Sequence, residues 1–235
     1  MRIKLSIMAA YLSAMVATSG AEPSRAAETA GLPPYLADRG DGIPTSLLGT
    51  YIREKEFIFY PFYEYTRTGH FEYAPKELGV TTAAAGQEFF GKLVEREALI
   101  FLAYAFSDSL AIEFESAVHA SANFTKAPDD NTGTPATIRE SGLGDTETNI
   151  RWRYWKETAT RPELTWFFKT VLPLQRNKKL LGEQHWEFEP GFALTKGYPF
   201  GTLTFKLAAA WDTGERKAEF SEWSVDYLKR INSKW

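Results

Sequence analysis

Among the like charges that stand two residues apart along this chain are Glu113 with Glu115, Arg151 with Arg153, and Glu187 with Glu189; Lys169 and Lys206 join them on the same strand faces. In an extended backbone, residues two apart share a face, so each carboxylate pair could in principle exchange a proton with a substrate. The same spacing suits a different chemistry. Acids and bases on one face of neighbouring strands pair across the sheet and neutralise one another in an enclosed space. His119 and Ser121 are also two apart, and would make a base-activated nucleophile if a carboxylate such as Glu115 or Glu140 oriented the imidazole. "NIRWRYW", residues 149–155, alternates arginine with aromatic rings, the letters of a stripe that grips single-stranded nucleic acid.

Composition narrows these options. Lys and Arg total 27 against 30 Asp and Glu, so no basic field exists to hold a polyanion, and no nucleic-acid partner is expected. With no cysteine, disulfides, thiolate metal sites and cysteine nucleophiles are excluded. His70, His119 and His185 lie far apart and outside any metal-ligand spacing, so no metal is expected. "SGLGDTE" lacks the third glycine of a dinucleotide loop, and there is no G-x-S-x-G, so neither a cofactor nor a hydrolase elbow is implied.

The elements that must carry these residues are strands. Residues 1–21 have the form of a secretory signal: Arg2 and Lys4, an apolar run from Leu5 to Val16, and small residues at Ser19 and Ala21. Residues 22–55 are a proline- and glycine-bearing polar lead-in without periodicity. From residue 56 to 235, eight runs alternate in polarity: "EFIFYPFYEYT", "EREALIFLAYAF", "LAIEFESAVHAS", "DTETNIRWRYW", "PELTWFFKTVL", "HWEFEPGFALT", "TLTFKLAAAW" and "EFSEWSVDYLKRI". Each is near the ~9 to 11 residues of a tilted strand crossing a bilayer. The connections alternate long (67–92, 121–142, 173–184) and short ("SDS", "KETATR", "KGYPFG"), the layout of an outer-membrane barrel, with the last, "DTGERKA", shorter than the other long ones.

Splitting each run by parity separates two surfaces. One carries Trp152, Tyr154, Trp166, Phe168, Trp186, Phe188, Phe205 and Trp211, suited to hydrocarbon and to the interfacial girdles of a membrane. The other carries Glu113, Glu115, Arg151, Arg153, Lys169, Glu187, Glu189 and Lys206, suited to a polar interior. The arginines of "NIRWRYW" therefore face inward toward Glu113 and Glu115, its rings outward, and Lys169 faces Glu187 and Glu189. The fold predicted is all-β: an antiparallel transmembrane barrel of the outer-membrane type with at least eight strands. The implied setting is the outer membrane of a Gram-negative bacterium, with membrane lipid, barrel assembly machinery and a small solute as partners.

"YPFYEYTRTGHFEYAPKELG", "SGLGDTETNIRWRYWKET" and "WEFEPGFALTKGYPFGTLTFK" resemble a group of proteobacterial outer-membrane proteins related to the transporters of the phenol meta-degradation pathway. The resemblance runs from about residue 45 onward, with Gly142 to Asp145 its most recognisable piece, and its motifs mark architecture without a catalytic residue. It implies passive passage of small, often hydrophobic or aromatic, molecules. The family continues past the eighth strand with further strands and a C-terminal aromatic signal. Here "NSKW" reads as a turn with Trp235 opening a ninth strand, so the sequence is expected to be cut short. Strand number matters because eight strands enclose only side chains, whereas about twelve leave a conduit. A non-conducting anchor, and an enzyme similar to the lipid A deacylase barrels through its His-x-Ser pair, stand as alternatives to a channel.

Overall fold

The computed structural model describes residues 32–230 except 48, 85 and 215; the secretory signal and "NSKW" lie outside the described residues. Each predicted run is a strand, several of them longer than its periodicity announces: β3 (Phe57–Tyr73), β4 (Phe89–Ala105), β5 (Leu110–Thr125), β7 (Thr146–Trp155), β8 (Glu163–Val171), β9 (Glu187–Tyr198), β10 (Gly201–Asp212) and β11 (Lys217–Leu228). Three short strands join them: β1 (Ile43–Pro44) and β2 (Tyr51–Ile52) in the lead-in, and β6 (Thr137–Gly142) inside the connection read as a loop. All pairings are antiparallel. The large sheet runs β11-β10-β9-β8-β7-β5-β4-β3, with β6 added beside the outer half of β5.

The sheet curls through 238° as a half-barrel. Inward and outward residues alternate along the strands, so the convex face presents Trp152, Tyr154, Trp166, Phe168, Trp186, Phe205 and Trp211 to the surroundings, with Phe188 half-buried among them. The concave face carries the charges. β-branched and aromatic residues favour this half-exposed pleated surface, and tight polar turns end it. Between β4 and β5, for example, Ser107 Oγ accepts from the N–H groups of Ser109 and Leu110 at 3.2 and 3.1 Å.

The lead-in does not trail away from the wall. A 3-10 turn at Pro34–Leu36 leads into the β1–β2 hairpin, and Ile43 and Ile52, both fully buried, pack on Phe101, Ala103, Ala105 and Ala111 of the concave face. Burial of two isoleucines stabilises the contact by about 1.5–3 kcal/mol each. At the opposite end, Leu78 of the connection 74–88 and Leu180 and Leu181 of 172–186 join Leu93, Ala122 and Phe124 in a second apolar cluster. Lys179 Nζ donates to the Leu78 carbonyl at 2.6 Å, tying the two long connections together. Both ends of the concave face are thus covered by chain from outside the sheet.

Candidate functional site

The concave face divides into three levels. At the short-turn end, Arg39 of the lead-in inserts its guanidinium between two wall carboxylates: Nη2 lies 3.1 Å from Glu157 and 3.0 Å from Glu163, with all three side chains nearly inaccessible. Arg153 Nε reaches the same Glu163 at 3.2 Å, and its Nη2 donates to the Asp41 carbonyl at 2.7 Å. Glu157 also takes Lys196 at 3.0 Å and the Gly197 N–H at 2.8 Å. Burial opposes the charge on Arg39, but Glu163 and Glu157 outweigh it and raise its pKa. The ring of Tyr51 lies 5.5 Å from the guanidinium, and burial pushes the phenol up to about 12. Gly197 lets this layer close, because a Cβ there would overlap the Tyr35 carbonyl oxygen.

One level up, Arg151 Nε lies 2.7 Å from Glu113, whose Oε1 also accepts from the Ser46 N–H at 3.0 Å. Lys169 sits 3.0 Å from Glu189 and 3.9 Å from Glu147. The sequence expectation is met for Arg151 with Glu113 and for Lys169 with Glu189. It fails for Arg153 with Glu115. The register pairs Glu115 with Glu147 and Ala111 with Arg151, so Arg153 lies too close to the short-turn end and takes Glu163. Lys206 pairs with Asp226 at 2.9 Å. Glu187 lies in register with Val171 of β8 and with Asp212 of β10.

The third level is acidic. Glu64 stands directly opposite Glu97, and Glu115 directly opposite Glu147, with Glu95 on the same face. Like charges in cross-strand register destabilise a sheet, so this level is not arranged for stability. The "GLGD" stretch closes it from the side. A Cβ on Gly144 would come within 2.8 Å of Glu97 Oε1 and 2.6 Å of Ala117 Cβ, and Asp145 Oδ1 accepts from the Glu183 N–H at 2.7 Å, fastening the connection 172–186.

His119 and Ser121 lie on the convex side of β5, opposite in facing to Glu115. Glu140 is engaged elsewhere, accepting from the Lys179 and Leu180 N–H groups. Neither proposed carboxylate orients the imidazole. Among the described residues no three His, Asp or Glu side chains gather as metal ligands, and no helix is long and apolar enough to cross a membrane.

Sequence reasoning missed the part played by residues 32–52. Their contacts with the wall mix backbone groups, such as the Asp41 carbonyl and the Ser46 N–H, with single side chains, Arg39, Ile43 and Ile52, too scattered along the chain to form a period. The available signal was the charged triplet Asp38, Arg39 and Asp41 in a stretch otherwise rich in Pro, Gly and small residues.

No family model matches the chain, and no curated protein matches it. The class is therefore defined by architecture: an all-β antiparallel sheet, curled as the wall of a β-barrel and filled by its own leading segment.

Proposed function

We propose that this chain forms an outer-membrane β-barrel that passes small molecules passively, with residues 32–52 narrowing its short-turn end. The observation that carries the reading is the inversion of polarity across the wall. Trp152 and Tyr154 are about half exposed on the convex side, while Arg151 and Arg153 beside them are 4% and 3% exposed within. A water-soluble sandwich buries the rings and solvates the arginines; a wall between lipid and a polar interior does the reverse. The resemblance to the phenol meta-pathway group supports the same assignment, with small aromatic or hydrophobic molecules as the solute class and a cleaved secretory signal at residues 1–21.

A second reading, a non-conducting barrel serving as an anchor, is favoured by the coverings at both ends of the concave face. Planar bilayers separate the two. Refolded protein that conducts in discrete steps supports the channel, and the carboxylates at Glu64, Glu97, Glu115 and Glu147 then require cations to permeate better than anions. Repeated insertion without conductance, in the full chain and in a variant with the leading segment released, sinks the channel and leaves the anchor.

A further inference from the structure

The long-loop end holds an open cleft of about 350 Å3 where the connection 172–186 meets the turn after β10, lined by Arg176, Gln184, His185, Trp186 and Thr213. Guanidinium, imidazole, amide and hydroxyl can all donate hydrogen bonds, and among the described residues no carboxylate lines the cleft. The side chain of Arg176 is exposed and makes no hydrogen bond or ion pair among the described residues.

The frame around these donors is fixed. Gln184 Nε2 donates to the Lys178 carbonyl at 2.5 Å, Glu183 is held by Asp145, and Lys179 and Leu180 by Glu140, so the connection carrying Arg176 is fastened at several points. The cleft's height on the wall is informative as well. Trp186 stacks on Phe188 at 6.1 Å and 8°, and Phe188 on Phe168 at 6.1 Å and 20°, forming a column of rings down the convex face. The donors stand at the top of this column, where an apolar wall gives way to polar connections. On a membrane barrel that is the headgroup level.

We propose that this cleft binds the phosphate of a lipid headgroup in the leaflet surrounding the long-loop rim. Arg176 forks onto two phosphate oxygens, His185 and Thr213 donate from the sides, and Trp186 covers the first apolar carbons below. A tetrahedral anion uses donors arriving from several directions; a planar carboxylate would be satisfied by Arg176 alone. The inference rests on the membrane-barrel reading above, but concerns the outside of the wall and is indifferent to conduction.

The test uses the full chain refolded in detergent and transferred to phosphatidylcholine vesicles containing one-tenth phosphatidic acid or, in parallel, one-tenth diacylglycerol. Native mass spectrometry then counts retained lipid. Phosphatidic acid should be retained roughly tenfold over diacylglycerol, and the preference should vanish in Arg176→Ala and in the Arg176→Ala/His185→Ala double variant. Both residues are exposed, so the wall should fold without them; Arg176→Lys should restore part of the preference. Equal retention of the two lipids, or a preference that survives both variants, overturns the site. Loss of the bound lipid to millimolar inorganic phosphate overturns the lipid assignment in favour of a free anion. A chain that fails to enter vesicles at all, and stays soluble without detergent, overturns the membrane reading itself.

Discussion

Arg39 and Glu163, 124 positions apart in sequence, meet at 3.0 Å with both side chains withdrawn from water. One belongs to the leading segment, the other to the first residue of β8, so a single contact joins the contents of the half-barrel to its wall. Removing one member of an isolated buried pair costs about 3–5 kcal/mol, and the cost here is smaller because Arg153 still reaches Glu163 and Lys196 still reaches Glu157. The wall does not depend on Arg39 for its ladder, so that cost should appear as release of the segment. Arg39→Met is expected to speed proteolysis within residues 32–55 by tenfold or more, at roughly the ~1.4 kcal/mol per factor of ten that such equilibria follow. The β-sheet circular dichroism should stay unchanged. Unaltered cleavage would show that the isoleucines, not the ions, hold the segment.

Gly197→Ala tests the same closure without touching a charge. The added methyl would overlap the Tyr35 carbonyl oxygen, a backbone atom that cannot rotate away. Within β9 itself alanine is compatible with the extended backbone, so the barrel wall should assemble and the turn at Pro34–Leu36 should lift from it. Amide hydrogen exchange is expected to rise for residues 35–40 while the β8–β9 ladder keeps its protection. Exchange rising equally in both would mean that the wall and its contents fold as one unit.

How much of this was legible in the letters differs between the wall and its contents. The eight runs and their two faces follow from period two, and Trp152 and Arg153 sort to opposite sides as expected. The strand ends do not follow. β3 continues past Thr66, polar on both faces, because Arg67 and Thr68 pair with Val94 and Leu93 of β4 and, after a register shift, Phe71 resumes the ladder opposite Gly91. Register is equally hidden. The pairing of β5 with β7, from Leu110 opposite Trp152 to Ser116 opposite Thr146, decides that Glu115 meets Glu147 instead of Arg153. The leading segment was opaque for a different reason. Ile43 and Ile52 are isolated apolar residues in a hairpin of two-residue strands, too short for any period to appear.

Asp130, in the connection between β5 and β6, provides a pH-dependent reading of the long-loop end. Burial disfavours its charge, yet hydrogen bonds from the Tyr73 hydroxyl at 2.7 Å and from Thr132 at 2.7 and 2.9 Å outweigh that and hold its pKa well below the usual carboxylate range. A pKa depressed by folding contributes stability that is fully present above the unfolded value of about 4 and is lost as pH falls through the folded value. Between neutrality and pH about 4, the turn at 127–134 should therefore keep constant protection once intrinsic exchange is corrected for, and lose it below. Asp130→Asn should be less protected throughout and flat across the same window. A wild-type profile that declines already at pH 6 would locate the sensitivity in another group.

Curvature decides how wide the interior is. The 238° turn is spread over the seven steps between eight long strands, about 34° per step, whereas eight strands closed on themselves must turn ~45° per step. Among the described residues β3 and β11 are accordingly the two edges of the sheet, both bearing exposed rings, Phe57 and Phe59 on one and Trp223 and Tyr227 on the other. At the observed curvature a closed wall holds about ten to twelve strands, wide enough to surround the leading segment and leave a path beside it. Paired cysteines test this directly in detergent. Lys206→Cys with Ser224→Cys, in register across β10 and β11, should oxidise readily to a disulfide. Phe59→Cys with a cysteine at Trp223, Val225 or Tyr227 should give no disulfide within one chain. Efficient closure of any of these edge pairs would mean that the eight strands tighten into a narrow barrel whose interior is filled by side chains, and conduction through it would then be excluded on width alone.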